Sequence, residues 1–299
     1  MKKLLIRFIK SLTVFLIKMK LLSPLVIVRV DGGIASQMHF YLVGMLFKEK
    51  GYRVKFDLSW FKSNGRDLEG TRVRNFDLLK AFPYLEFEEI SLCDSIFFAG
   101  FKYVNQNKSL DFIEEEPPIW LLSYYPYTKD MLDVMMPKYF HLDADVLDDY
   151  SKNVYNQIKE KDYPVAVHVR RGDLATYNSA YGSPVSNSYF ARSMDFFQKN
   201  MDNPFFFFFS DEMGWVENNL LPELDLDGNY MLVNGNSDDK GYMDMFLISV
   251  CSSQITSKGS LGKYGGFIHA GKDNIIVVFD DNVERDKWGG LSDKLFFVS

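Results

Sequence analysis

At 299 residues, 47% of them apolar and 16% aromatic, the chain is long enough for two domains with separate cores and too apolar for a disordered segment. Its net charge of −6 argues against a nucleic-acid partner, because affinity for a phosphate backbone comes from clustered Lys and Arg. Two distant cysteines, Cys93 and Cys251, speak against a disulfide framework and for a reducing compartment, and the four histidines (His39, His141, His168, His269) lack the spacing of a zinc site.

Residues 1–24 differ in character from the rest of the chain. Lys2, Lys3, Arg7, Lys10, Lys18 and Lys20 stand there without an acidic residue, interleaved at helical spacing with Leu4, Leu5, Phe8, Ile9, Leu12, Phe15, Leu16 and Met19. The apolar core from Leu12 to Ile17 is too short to span a bilayer, and no small-residue cleavage site succeeds it. The pattern predicts a basic amphipathic helix, lying either on an anionic membrane surface or against the protein's own core. On the membrane reading the protein is cytoplasmic and peripheral on the inner face, and its body folds without residues 1–22.

Leu25 to Val30, a β-branched run after Pro24, reads as the first strand of a domain covering 25–142. It runs into Asp31 and the Gly32-Gly33 turn, beyond which a helix is expected up to Lys50, capped by Gly51. Strand, glycine turn and helix make the opening βα unit of a nucleotide-type domain. Strands are expected at Tyr52 to Leu58, Glu86 to Ile90 and Ile119 to Tyr125, with a loop and short helix over Arg72 to Phe82. Trp120, Tyr124 and Tyr125 close that last strand as core residues or as a surface for stacking on a sugar.

The second domain, 143–299, opens on an acidic helix from Asp143 to Lys161. Asp143-Ala144-Asp145, and later Asp225-Leu226-Asp227, spell the Asp-x-Asp pattern that can hold a divalent cation. Carboxylates at a helix start also satisfy free N–H groups, and the second copy sits in a loop, so no metal is expected. Tyr163 to Val169 is an apolar run that reads as a buried parallel strand, and at its end the chemistry changes abruptly to His168, Arg170, Arg171, Gly172 and Asp173. Two adjacent arginines beside a glycine suit a diphosphate: the guanidinium forks bond phosphate oxygens and the glycine lets the backbone come close. The expected ligand is an activated, phosphate-bearing donor.

After a helix from Asn187 to Asn200, five phenylalanines (Phe205 to Phe209) form a second hidden strand ending in Ser210-Asp211-Glu212. A helix over Tyr242 to Cys251 and a short strand, Gln254 to Thr256, lead into a Gly/Ser-rich turn from Ser257 through Gly259, Ser260 and Leu261 that opens another helix. Such a turn aims backbone N–H groups and hydroxyls at one point and favours an anion. Asn274 to Phe279 is expected as the last core strand, with Asp280 to Ser299 a helix or loop packed back across the domains.

In order, these segments resemble a known family. His168-Val169-Arg170-Arg171-Gly172-Asp173 resembles the first motif of the α-1,2- and α-1,6-fucosyltransferases, His-x-Arg-Arg-Gly/Thr-Asp. Gly32, Gly33 and Gln37 match that family's N-terminal Gly-Gly-Leu-Gly-Asn-Gln, with Ala35 and Ser36 departing; Arg72 to Leu78 is similar to its basic segment. Phe209-Ser210-Asp211-Glu212 resembles its second motif, and Asp244 to Cys251 with Ser260, Tyr264 and Gly265 its third, where Ser253, Lys258, Gly259, Gly262 and Lys263 depart. The chain is thus similar to a divergent bacterial α-1,2-fucosyltransferase of glycosyltransferase family 11.

The resemblance implies an α/β protein of two Rossmann-like domains (GT-B type) facing a central cleft. It implies a metal-independent, inverting transfer of L-fucose from GDP-β-L-fucose to a galactose-type hydroxyl of an oligosaccharide or lipid-linked glycan. Arg170 is then the residue that stabilises the leaving diphosphate, supported by Arg171 and the turn at Ser257, Gly259, Ser260 and Leu261. His168 and Asp173 orient the arginines or contact the nucleotide, Ser210 and Asp211 meet the guanine, and Gly32, Gly33 and Gln37 also belong to the donor site. Asp31, at the end of the first strand, is the candidate base. The altered motifs leave a second reading open, a catalytically silent sugar-nucleotide or glycan-binding homologue.

Overall fold

The computed structural model describes residues 2–63, 65–66, 73–104, 114–122, 125–141, 143–176, 182–236, 240–269, 271 and 273–299. The chain divides into two units, 1–79 with 83–127 and 80–82 with 128–299. Residues 128–142, placed by sequence with the first domain, therefore belong to the second unit.

The first unit contains α1 (Lys2–Lys18), β1 (Val26–Arg29), α2 (Ile34–Glu49), β2 (Val54–Asp57), α3 (Ser59–Ser63), α4 (Leu78–Ala81, shared with the second unit), α5 (Leu92–Phe97), β3 (Lys102–Tyr103) and β4 (Ile119–Leu121). Its four strands are parallel in the order β2-β1-β4-β3. Val26, Ile27 and Val28 are fully buried, which is what a strand covered on both faces requires. The segment expected as a strand at Glu86 to Ile90 is instead a single parallel bridge from Glu89 to Phe56 at the edge of β2. Trp120 and Tyr125 are core side chains, and Tyr124 lies outside the described residues.

The N-terminal helix is seated on the protein by one face. Thr13 of α1 is fully buried, its hydroxyl donating to Phe97 O at 2.9 Å, and Lys10 lies 4.8 Å over the Phe101 ring. Ile17 and Leu22 pack against Leu25, Ile27, Phe98 and Trp120. Removing residues 1–22 would therefore uncover part of a core, which corrects the expectation that the segment is dispensable for folding. No described helix is long and apolar enough to cross a membrane.

The second unit contains α6 (Met136–Tyr139), α7 (Asp149–Lys159), β5 (Tyr163–Val169), α8 (Gly172–Thr176), α9 (Asn187–Asn200), β6 (Pro204–Ser210), α10 (Met213–Trp215), β7 (Tyr230–Val233), α11 (Gly241–Val250), β8 (Ser253–Thr256), α12 (Leu261–Ile268), β9 (Ile276–Phe279), α13 (Asn282–Trp288) and β10 (Leu295–Val298). Six parallel strands run in the order β10-β9-β8-β5-β6-β7. The pleat explains the phenylalanine run. Phe206 and Phe208 join Val165, Val167 and Val169 on one face, and Phe207 and Phe209 join Ala166 on the other against α7 and α11. Each such burial contributes roughly 2–3 kcal/mol, so this central pair of strands is the mechanical base of the unit.

Two expectations fail here for identifiable reasons. The single helix from Asp143 to Lys161 is broken. Asp143 accepts from Asp145 N to start a short 3-10 turn (Ala144–Val146), Leu147 is extended, and Asp148 then caps α7 by accepting from Ser151 N at 2.9 Å. Two consecutive capping carboxylates make two helix starts. The tail is also more regular than expected: it forms α13 and then β10, paired in register with β9 from Leu295↔Ile276 to Val298↔Phe279.

Candidate functional site

Strand order locates the site. The chain moves from β5 outward through β6 and β7, then returns to the other side of β5 with β8, so β5 and β8 flank a topological switch point. In open parallel sheets a ligand sits beyond the carboxyl ends of the strands at such a point. Here those ends are His168-Val169-Arg170 on β5 and Thr256-Ser257 on β8, with α12 starting at Leu261.

The two ends are tied together. Ser257 N donates to His168 O at 3.0 Å, and Arg170 N donates to the Ser257 hydroxyl at 2.8 Å. Gly259 then turns the chain with φ +99°, and a Cβ at this position would stand 2.9 Å from Arg170 Nη1. Only glycine accepts both that conformation and that proximity. The Arg170 guanidinium therefore rests directly on the Gly259 turn. Gly262 plays the matching role in the first turn of α12, where a Cβ would lie 2.9–3.0 Å from Cβ, Cγ and Nδ1 of His168.

Beneath the turn lies Lys263, a residue to which the sequence assigns no role. It is fully buried, donates to Ser257 O at 3.0 Å and Gly259 O at 2.9 Å, and sits 2.7 Å from Glu284 Oε2, itself 2% exposed. Lys258, also buried, pairs with Asp281 Oδ2 at 2.8 Å. Desolvation lowers the Lys263 pKa against the pull of Glu284, and it pushes Lys287 down to about 8, helped by Lys263 and opposed by Glu284. Among the described residues, Lys258 and Lys263 pair with Asp281 and Glu284 beside Arg170 and Lys287. Cationic side chains at the open end of a parallel sheet suit an anionic ligand.

The same field governs His168. Desolvation first, then Arg170 and Lys263, lower its pKa to about 3, so its ring is neutral at physiological pH and cannot serve as a cation for a phosphate. The ring packs against Gly262 of α12.

The resemblance sets Arg170 ahead of Arg171, and the structure gives the two different surroundings. The Arg171 guanidinium stacks on Trp215, its Cζ 3.6 Å from the ring centroid, with Nε 3.6 Å from Glu212 Oε2, while its backbone N–H donates to Asp211 Oδ1 at 2.9 Å. Ser210, at the end of β6, accepts from Glu212 N. Arg171, Ser210 and Asp211 therefore form a second cluster across the ends of β5 and β6. Ser260 and Leu261 stand at the start of α12, where Ser260 O accepts from Tyr264 N. Asp173 falls in α8, and its side chain lies outside the described residues.

The remaining expected residues belong to the first unit. Gly32 and Gly33 make the turn between β1 and α2. Gln37 is fully buried. Its amide donates to Gly32 O and Asn75 O, and its carbonyl accepts from Asp77 N and Leu78 N. Those four bonds hold residues 75–78 onto the glycine turn. Asp31 bonds Arg29 Nη2 at 3.2 Å, yet burial outweighs that pairing and raises its pKa. Arg72, in the basic segment, lies outside the described residues.

In the Asp-x-Asp segments, Asp143 caps a 3-10 turn and Asp227 sits in a left-handed turn with φ +47°. Among the described residues no group of three or more His, Cys, Asp or Glu stands where it could hold a metal ion.

Asp244, in the first turn of α11, carries a further electrostatic load. It accepts from Asn236 Nδ2 at 2.8 Å, but desolvation raises its pKa to about 6. An acid whose folded pKa lies above its unfolded value costs stability as pH rises from near 4 to near 6, and the cost persists above that. Asp244→Asn should therefore stabilise the protein near pH 8, by up to about 3 kcal/mol, and add nothing near pH 3.5. Urea unfolding across this range measures it, and a variant less stable than wild type near pH 8 would show that the charge itself is needed.

Comparison with known proteins agrees with the second unit. The sequence model of glycosyl transferase family 11 matches residues 138–288. The O-antigen biosynthesis glycosyltransferase WbnK of Escherichia coli is 25% identical over 149 residues, 48% of each chain, so the chain spans about half the length of that relative. Among solved structures, E. coli ADP-heptose lps heptosyltransferase II aligns with a TM-score of 0.48 at 11% identity, over 92% of this chain and 90% of that one. A mutant of Arabidopsis thaliana FUT1 in complex with GDP aligns at 0.44 and 12% identity, over 88% and 72%.

Proposed function

The chain belongs to glycosyl transferase family 11, and from that premise we propose that it is an inverting transferase moving L-fucose from GDP-β-L-fucose to a galactose-type hydroxyl of a surface glycan. The observation that carries the reading is Arg170 seated on the Ser257–Gly259 turn at the switch point. The acceptor oxygen forms the new bond to the sugar's anomeric carbon as the bond to the diphosphate breaks. GDP leaves with the electron pair, and Arg170 meets the negative charge where it develops.

The other groups take supporting roles. Lys263 and Lys258 set the turn and its potential, Arg171 and Trp215 brace the neighbouring loop, and Asp211, which holds the Arg171 N–H, is the residue proposed to accept from a guanine edge. The hydroxyl proton passes to a carboxylate, for which Asp31 is proposed: its raised pKa makes it a better base than an ordinary aspartate. An O-antigen relative favours an oligosaccharide or lipid-linked acceptor.

The test is mass spectrometry of products from galactose-terminated acceptors incubated with GDP-fucose. The expected result is a product heavier by one deoxyhexose. GDP-fucose binding without transfer to any acceptor would favour the catalytically silent reading instead. Because cationic side chains are proposed to neutralise the charge on the leaving group, activity is expected to survive excess EDTA. Loss in chelator and recovery with manganese would overturn metal independence and redirect attention to Asp143, Asp145, Asp225 and Asp227.

A further inference from the structure

The outward face of α1 is a continuous apolar stripe. Leu4, Leu5, Phe8, Leu12 and Phe15 are between 37% and 71% exposed, and Met19, 56% exposed, extends the row through its N–H bond to Phe15 O. At 3.6 residues per turn these six side chains fall within about 100° of arc. Thr13, on the opposite side, is fully buried against the first unit. The helix is held by one face, and its large apolar residues point the other way. Leu92 and Ile96 of α5 are exposed as well.

Charge selects the occupant. Lys3, Arg7 and Lys18 fall on one flank of the stripe, Lys10 lies on the face held against the protein, and no acidic residue precedes Asp31. A second copy of the chain would bring like-charged flanks together. A bilayer bearing anionic headgroups satisfies both features, taking the stripe into the acyl boundary and the cations at the headgroups. The net charge of −6 for the whole chain means that the rest of the protein is repelled from the same surface, so only this face would approach it.

We propose that α1 is a membrane-docking face, an in-plane helix that binds anionic lipid through Leu5, Phe8, Leu12 and Phe15 with Arg7 and Lys18 at the headgroups. The inference is independent of the transfer reaction. The experiment is flotation of the full chain with phosphatidylcholine vesicles, with and without about one third phosphatidylglycerol, at low and high salt. Wild type should float with anionic vesicles, much less with neutral ones, and detach as salt rises.

The triple variant Leu5→Ser, Phe8→Ser, Phe15→Ser changes only outward residues and should keep the wild-type circular dichroism and melting curve while losing about tenfold or more in vesicle partition. Arg7→Gln with Lys18→Gln should weaken binding to anionic vesicles alone. Failure of wild type to float with anionic vesicles would overturn the proposal. Flotation of the triple variant equal to wild type would do the same. So would a dimer, seen by sedimentation, that the triple variant abolishes in a protein that does not bind vesicles.

Discussion

Arg170→Lys is expected to lower transfer turnover by roughly 100-fold or more while reducing GDP affinity much less, the scale of losing one well-placed donor at a charge that appears only in the transition state. Lysine keeps the charge but not the planar fork that spans two phosphate oxygens. The backbone N–H of residue 170 donates to the Ser257 hydroxyl, a bond that a side-chain change leaves in place, and the flexible lysine puts no new bulk against Gly259. Steady-state kinetics with GDP-fucose and GDP titration by calorimetry separate the two effects. Near-native turnover in Arg170→Ala would remove the residue from the chemistry.

Lys263→Met is expected to destabilise the protein by about 3–5 kcal/mol, because it leaves Glu284 buried without its counter-charge. It also strips the donor from Ser257 O and Gly259 O, the two carbonyls that shape the turn under Arg170. A compensated variant distinguishes stability from function. Lys263→Met with Glu284→Met removes both charges, and replacing a buried pair by apolar residues is often close to neutral, so this protein should fold. GDP binding should nevertheless weaken by about tenfold, since the turn loses its internal brace and part of its positive potential. Chemical unfolding and GDP titration on both variants measure this. A single variant within about 1 kcal/mol of wild type would show that the pair is not integral to the unit.

Local pattern was enough to identify the elements that carry the second unit. The run from Phe205 to Phe209 reads as a strand covered on both faces, and the apolar 163–169 segment reads the same way from hydrophobicity and period alone; that the two pair is a finding of the structure. The polar residues at their carboxyl ends mark the functional edge for the same reason, since they interrupt runs that are otherwise buried. Boundaries were less legible. Whether Asp143 and Asp148 open one helix or two depends on which backbone N–H each carboxylate reaches, and whether Leu295 to Val298 forms a strand depends on β9 offering it an edge.

The sequence by itself determined that this is an α/β chain with a basic amphipathic start and an arginine pair at a strand end, because those are properties of residue type and spacing. Only the tertiary structure decided what each member does. Arg170 and Arg171 are chemically identical neighbours, separated by the Gly259 turn that meets one and the Trp215 ring that meets the other. Gln37 has the chemistry of a ligand contact, yet its four hydrogen-bonding positions are filled by the surrounding backbone. Lys263 gave no signal beyond its departure from the family's motif, since the carboxylate that holds it, Glu284, lies 21 positions further along the chain. Burial creates the electrostatics of such a pair, and burial is a property of the packed fold that no short stretch of sequence carries.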